Sequence, residues 1–209
     1  MSRLNYLITA LLLACLTTAA SAQIGIGVRA GVTFSNFNFE GDERFDARRG
    51  FVLGIPLEIR LPGPLGLQIE ANYSQFGSEQ DLGGPGVSLF ESDQLLNYLN
   101  LPVLLKVGLI SDDFEASAVV GPSFGYVLDG EATSNGVTGD IEFDDDFRRG
   151  NVGLIFGAQG GVPVGAGKIT LDVRYNLGLS NLDGSANSEN KITNRQFQVA
   201  LGYLFTIGG

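Results

Sequence analysis

Glu142-Phe143-Asp144-Asp145-Asp146 gathers four carboxylates into five residues, an oxygen-rich set of the kind a calcium ion takes. The run lacks the spacing and the turn glycine of an EF-hand loop. Arg148-Arg149 follow it closely, so the simpler reading is an acidic, solvated loop tip with internal ion pairing. Ser117, Ser123 and Ser180 could act as nucleophiles only with a base beside them. The chain contains no histidine. That removes Ser-His-Asp and Cys-His catalysis and every His-containing zinc site. No cofactor, no metal centre and no enzymatic activity is expected, and a net charge of −10 makes nucleic acid a poor partner.

Eight further charged residues carry a different signal. Arg29, Glu58, Arg60, Glu70, Lys106, Glu115, Asp172 and Arg174 each occupy an alternate position in a stretch whose other alternate positions are apolar. Side chains so spaced leave one face of a β-strand. Four are positive and four negative, although the whole chain has 13 basic against 23 acidic residues. Balanced signs on one face point to charges that neutralise each other in a confined space.

The elements that must hold them are strands. In Phe51 to Leu61, Phe51, Leu53, Ile55, Leu57, Ile59 and Leu61 alternate with Val52, Gly54, Pro56, Glu58 and Arg60. Pro62-Gly63-Pro64 turns the chain, and Leu65, Leu67, Ile69, Ala71 and Tyr73 then alternate with polar residues and glycine. The same pattern recurs at 24–35, 95–109, 114–126, 151–162, 168–179 and 196–207, which makes eight strands. Their connections alternate strictly between long and short: 36–49, 75–94, 129–149 and 182–195 are long, and three tight turns lie between. Strands of about 10 residues, even in number, with such connections match a barrel that crosses a bilayer.

The first 22 residues read as a secretory signal peptide: Arg3, the apolar run Leu7 to Leu16, and Ala20-Ser21-Ala22 before Gln23. A lipoprotein-type cut at Cys15 is the competing reading, with Leu13 a poor fit two residues before it. Cleavage at Gln23 would remove the single cysteine, so no disulfide is expected in residues 23–209.

Two orientations of the apolar face compete. Inward, it would make a soluble lipid-binding barrel; outward, it would meet membrane lipid and leave the eight charges inside. Phe34, Phe51, Tyr73, Phe124, Tyr126 and Phe197 fall near the long-connection ends of their strands on the apolar face, as an interfacial girdle requires. This favours the outward face and an all-β, eight-stranded antiparallel up-and-down transmembrane barrel. All eight charges fall in the half nearer the short turns. The other half shows Gly31, Gly54, Gly121, Gly125, Gly153 and Gly157, which suggests a small cavity above an ion-pair plug.

Tyr98-Leu-Asn-Leu-Pro-Val-Leu-Leu-Lys106 and Arg174-Tyr-Asn-Leu-Gly-Leu-Ser-Asn-Leu182 resemble strands of the outer-membrane β-barrel family of Bacteroidota, the PorT-like barrels. Gln198-Val-Ala-Leu-Gly-Tyr-Leu-Phe205 is similar to the C-terminal signal read by the barrel-assembly machinery, on Gln198, Ala200, Tyr203 and Phe205. Ala200 stands where glycine is usual, and four residues follow Phe205. The resemblance implies a Gram-negative outer-membrane location, with lipid and the assembly machinery as partners. It carries over no catalytic residue. A structural or surface-interaction role through long acidic outer loops is expected, with both termini periplasmic and an envelope or extracellular protein as partner. The alternative is an accessory component of a protein-secretion machine.

Overall fold

The computed structural model describes residues 23–39, 46–81, 91–111, 113–134, 137–140, 149–180 and 192–207. The expected leader and the acidic run 142–146 lie outside them. Among the described residues there are nine strands: β1 (Ile24–Phe39), β2 (Asp46–Arg60), β3 (Leu65–Asp81), β4 (Glu91–Ile110), β5 (Glu115–Ser134), β6 (Val137–Asp140), β7 (Gly150–Val164), β8 (Gly167–Gly178) and β9 (Ile192–Ile207). Eight of them pair antiparallel with their neighbours, and the β4–β5 and β1–β9 ladders close the ring. The short β6 pairs with the far end of β5, beyond the ring.

Hydrogen-bonded neighbours followed once around the wall from Ile24 lead through Ile59, Leu67, Leu105, Val120, Phe156, Tyr175 and Phe197 to Phe34. The circuit ends ten residues further along β1 than it began. A shear of ten in eight strands tilts them by about 40° to the barrel axis. Residues level along the axis are therefore not those paired in the ladders.

The apolar face points outward. Val28 and Leu201 are each 61% exposed, whereas Glu70 and Arg174 are each 1% exposed. In water such a surface would cost about 25 cal/mol for each Å² left wet, and in hydrocarbon it costs nothing. The soluble carrier with an apolar interior is excluded by this arrangement, because its pocket would have to hold the charges.

All four stretches expected as loops are partly strand, the last because β9 starts at Ile192. β1 runs on to Phe39, β2 starts at Asp46, β3 reaches Asp81, β4 starts at Glu91, and β5 continues to Ser134. Apolar alternation stops where lipid contact stops, but backbone pairing does not depend on what the outer side chain is. A bulge in β5 around Leu128, where Asn97 pairs Asp129 and Tyr98 pairs Val127, marks the change. At the opposite end the turns are tight, with Gly63 and Gly165 in the left-handed region at φ 75° and 61°.

Candidate functional site

The lumen is filled by side chains in layers, and the layer nearest the short turns is ionic. Glu58 on β2, Lys106 on β4, Glu115 on β5 and Lys168 on β8 all point inward by strand parity. Lys106 Nζ lies 2.6 Å from Glu58 and 2.7 Å from Glu115. Lys168 Nζ lies 2.6 Å from the other oxygen of Glu58 and 2.5 Å from the other oxygen of Glu115. The four groups form a closed square of alternating charge. Each carboxylate spans two ammonium groups, so no charge in the square lacks an opposite neighbour.

A second square sits one layer further in. Arg29 Nη1 is 2.6 Å from Glu70, Glu70 is 2.8 Å from Arg174 Nη1, and Arg174 Nη2 is 2.5 Å from Asp172. Its fourth side, Arg29 Nε to Asp172, is a longer 4.0 Å. Gln68 and Asn72 donate to Glu70 at 2.5 and 2.7 Å and supply the hydrogen bonds that buried carboxylates need. Gln159 joins the squares: its carbonyl accepts from Lys106, and its amide donates to Asp172 at 2.8 Å. Ordinary L side chains could not fit so many groups into so narrow a ring. A Cβ at Gly54 would lie 1.8 Å from Asn72 Oδ1, and one at Gly157 would lie 2.2 Å from Val173 O.

Seven of the eight charged residues expected inside belong to these squares. Arg60 does not: it stands at the rim with its side chain 34% exposed, 3.3 Å from Glu115. Lys168 is absent from the expected set, yet it completes the first square. The sign that could have found it lies in the sequence, since Lys168 shares the parity of Thr170, Asp172 and Arg174.

Beyond the squares the lining turns largely neutral, and at the outer end apolar side chains mix with Ser35, Arg48 and Asn194. Asn100 donates to Ser74 at 2.7 Å, Ser123 to Asn176 at 3.3 Å, and Gln196 to Gln75 O at 3.1 Å. Further out, the rings of Phe76 and Tyr98 pack 4.8 Å apart, with Val52, Leu96 and Val127 buried near them. The glycine-lined cavity expected there is not what these residues form. The glycines relieve crowding by neighbours, and large side chains from β3 and β4 occupy the space.

Outside, the expected girdle residues all lie on the lipid-facing side. Phe34 pairs with Phe197 at 6.4 Å, Phe51 with Tyr73 at 5.7 Å, and Phe156 with Tyr175 at 5.5 Å. Tyr203 and Phe205, 4.7 Å apart, lie toward the short-turn end. Phe197 to Phe205 is eight residues on one strand, which at this tilt spans about 20 Å. Of the four residues in the C-terminal motif, Tyr203 and Phe205 face outward, while Gln198 and Ala200 are buried in the lumen.

Among the described residues, the three candidate serines have these hydrogen-bond partners. Ser117 donates weakly to Glu115 at 3.4 Å, Ser123 meets Asn176, and Ser180 hydrogen-bonds Asn151 at 3.0 Å. No three carboxylate, cysteine or histidine groups are placed to hold a metal ion among the described residues.

Residues 19–184 match the family described as outer membrane protein beta-barrel domain. The chain belongs to that family. This outer membrane barrel is similar in fold to Neisserial surface protein A, with 12% identity, 86% of this chain and 96% of that one covered, and a TM-score of 0.51. A major outer membrane protein of Thermus thermophilus matches with 14% identity, 88% and 99% coverage, and a TM-score of 0.50. Ail of Yersinia pestis matches with 16% identity, 88% and 99% coverage, and a TM-score of 0.47. No curated protein matches the sequence. At these identities the likeness is one of fold, and the location in the outer membrane follows from the family.

Proposed function

We propose that this outer membrane barrel is a closed, non-enzymatic scaffold whose work is done at the end bearing the long connections. The observation that carries this reading is the pair of linked ion-pair squares that span the lumen with buried, mutually paired side chains. An eight-stranded ring has an interior only wide enough for side chains in any case. Function then falls to the outer surfaces. On the lipid-facing wall, a shallow depression of about 720 Å³ is lined by apolar groups including Val28, Ala30, Ile55, Ala71 and Leu201, suited to outer-membrane acyl chains.

The long-connection end faces the exterior in this reading, and both ends of residues 23–209 face the periplasm. Support comes from the height of one side of the wall: β3, β4 and β5 run well past the aromatic girdle and are joined there by β6. Those projecting parts contain Glu79, Asp81, Glu91, Asp93, Asp129 and Glu131, so a partner with a basic surface suits them. The leader, cleaved before Gln23, and the assembly signal ending at Phe205 belong to the same proposal, in a Gram-negative cell.

The PorT-like resemblance does less to identify a partner. In its two internal segments, Tyr98, Asn100, Lys106, Arg174 and Asn176 are all buried in the lumen. They describe how the barrel is filled, and membership in a secretion machine needs co-purification to support it.

The test has two arms. Purified barrel in a planar bilayer should give no porin-like conductance steps, and stable steps from the wild type would overturn the closed scaffold. Immobilised barrel should retain an envelope or extracellular protein in a salt-sensitive way, and replacing residues 129–149 with a short turn should abolish it. Undiminished retention by that variant would overturn the surface role.

A further inference from the structure

At the short-turn mouth, immediately outside the first square, lies a recess of about 240 Å³. Arg60, Lys168 and Glu115 form its inner wall, and Ser111, Phe114 and Thr206 line its approach. Lys106 and Lys168 each face both Glu58 and Glu115, and Arg60 faces Glu115, so three cations stand around two carboxylates at this layer. The spare donors are also on the recess side. Lys106 spends its three ammonium protons on Glu58, Glu115 and Gln159. Among the described residues Lys168 spends two, on Glu58 and Glu115, and keeps a third. Arg60 is held by Gln23 Oε1 at 3.0 Å and by Glu115 at 3.3 Å, so its fork is oriented before anything binds.

We infer that this recess is a binding site for a single carboxylate carried on a small apolar group. Three cations around two carboxylates suit a monoanion. A dianionic phosphate would leave a net negative charge beside Glu58 and Glu115. The Lys168 ammonium and the Arg60 guanidinium supply donors to the two carboxylate oxygens, with the Ser111 and Thr206 hydroxyls at the approach. A recess of this volume is larger than a bare carboxylate, and Phe114 with Pro163 offers the remainder an apolar wall. Asp113 on the turn is exposed, and among the described ion pairs the carboxylate facing Arg60 is Glu115. This site lies at the opposite end from the acidic projection and does not depend on what that projection binds.

The full chain in detergent micelles, isotopically labelled, tests it with N-acetyl-L-leucine as the probe and N-acetyl-L-leucinamide as its uncharged twin. The acid should shift the amide signals of Gly161, Gly167 and Thr206 saturably. The amide should bind roughly tenfold more weakly, as should the Arg60→Gln variant toward the acid. Arg60 is a rim residue, so that variant should keep the heat-shifted gel migration of a folded barrel. Phe114→Ser, which removes only the apolar wall, should weaken the acid without restoring the amide. Absence of saturable shifts with the acid, or equal binding of acid and amide, would overturn the site.

Discussion

The Lys168 ammonium lies 2.6 Å from Glu58 Oε1, although 110 residues separate them along the chain. β2 and β8 share no ladder, so this contact crosses the lumen and ties opposite walls together. Removing Lys168 leaves Glu58 with the Lys106 ammonium alone, which it shares with Glu115, while Arg60 reaches only Glu115 from the rim. Lys168→Met should lower stability by about 3–5 kcal/mol, read from denaturant unfolding in detergent. Arg60→Gln, one-third exposed at the rim, should cost less than about 1 kcal/mol. Equal losses would mean the square is not a structural unit.

The second square should behave as a coupled set. Arg174→Met strands Glu70 beside a single remaining cation, Arg29, 2.6 Å away. Replacing Glu70 by Met as well removes the uncompensated charge. The double variant should recover most of the single variant's loss, a coupling of about 1–3 kcal/mol in a double-mutant cycle. Simple additivity would count against it.

Two glycines three residues apart on β7 make a matched pair. Gly157 faces inward, where a new Cβ would meet the Val173 carbonyl oxygen at 2.2 Å, whereas at Gly160 nothing lies within 4 Å. Gly157→Ala should destabilise the barrel by about 1–3 kcal/mol or prevent folding. Gly160→Ala should be neutral or slightly stabilising. The temperature at which the folded gel band disappears would separate them.

The depth of the barrel in the bilayer is also open to test, because the chain has no native tryptophan. Phe197→Trp and Phe205→Trp place a probe at either aromatic zone, and Leu201→Trp places one between them on the same strand. Lipids brominated near the chain ends should quench Leu201→Trp most strongly. Bromines close to the head group should favour the other two. Uniform quenching would move the membrane belt.

Much of the architecture is legible in the sequence because it is local. The two-residue period of Phe51 to Leu61 assigns strand and face together, and the alternation of long and short connections orders the strands. It also places seven of the charges that meet inside. It does not reveal where the strands end: Glu79 to Asp81 and Glu91 to Asp93 look like loop by composition, yet they pair with each other. Hydropathy reports the lipid boundary, and backbone hydrogen bonds ignore it.

Which side chains enter the lumen is written in the chain itself, since parity along a strand depends on nothing outside that strand. Which of them meet is a property of the folded ring. A shear of ten slides each strand against the next, so contact across the lumen depends on closure of the whole wall. That slide brings Lys168 to Glu58, makes Gln159 the link between two squares and leaves Arg60 at the rim. It also fills with Phe76 and Tyr98 the space that a row of glycines, read along single strands, leaves open.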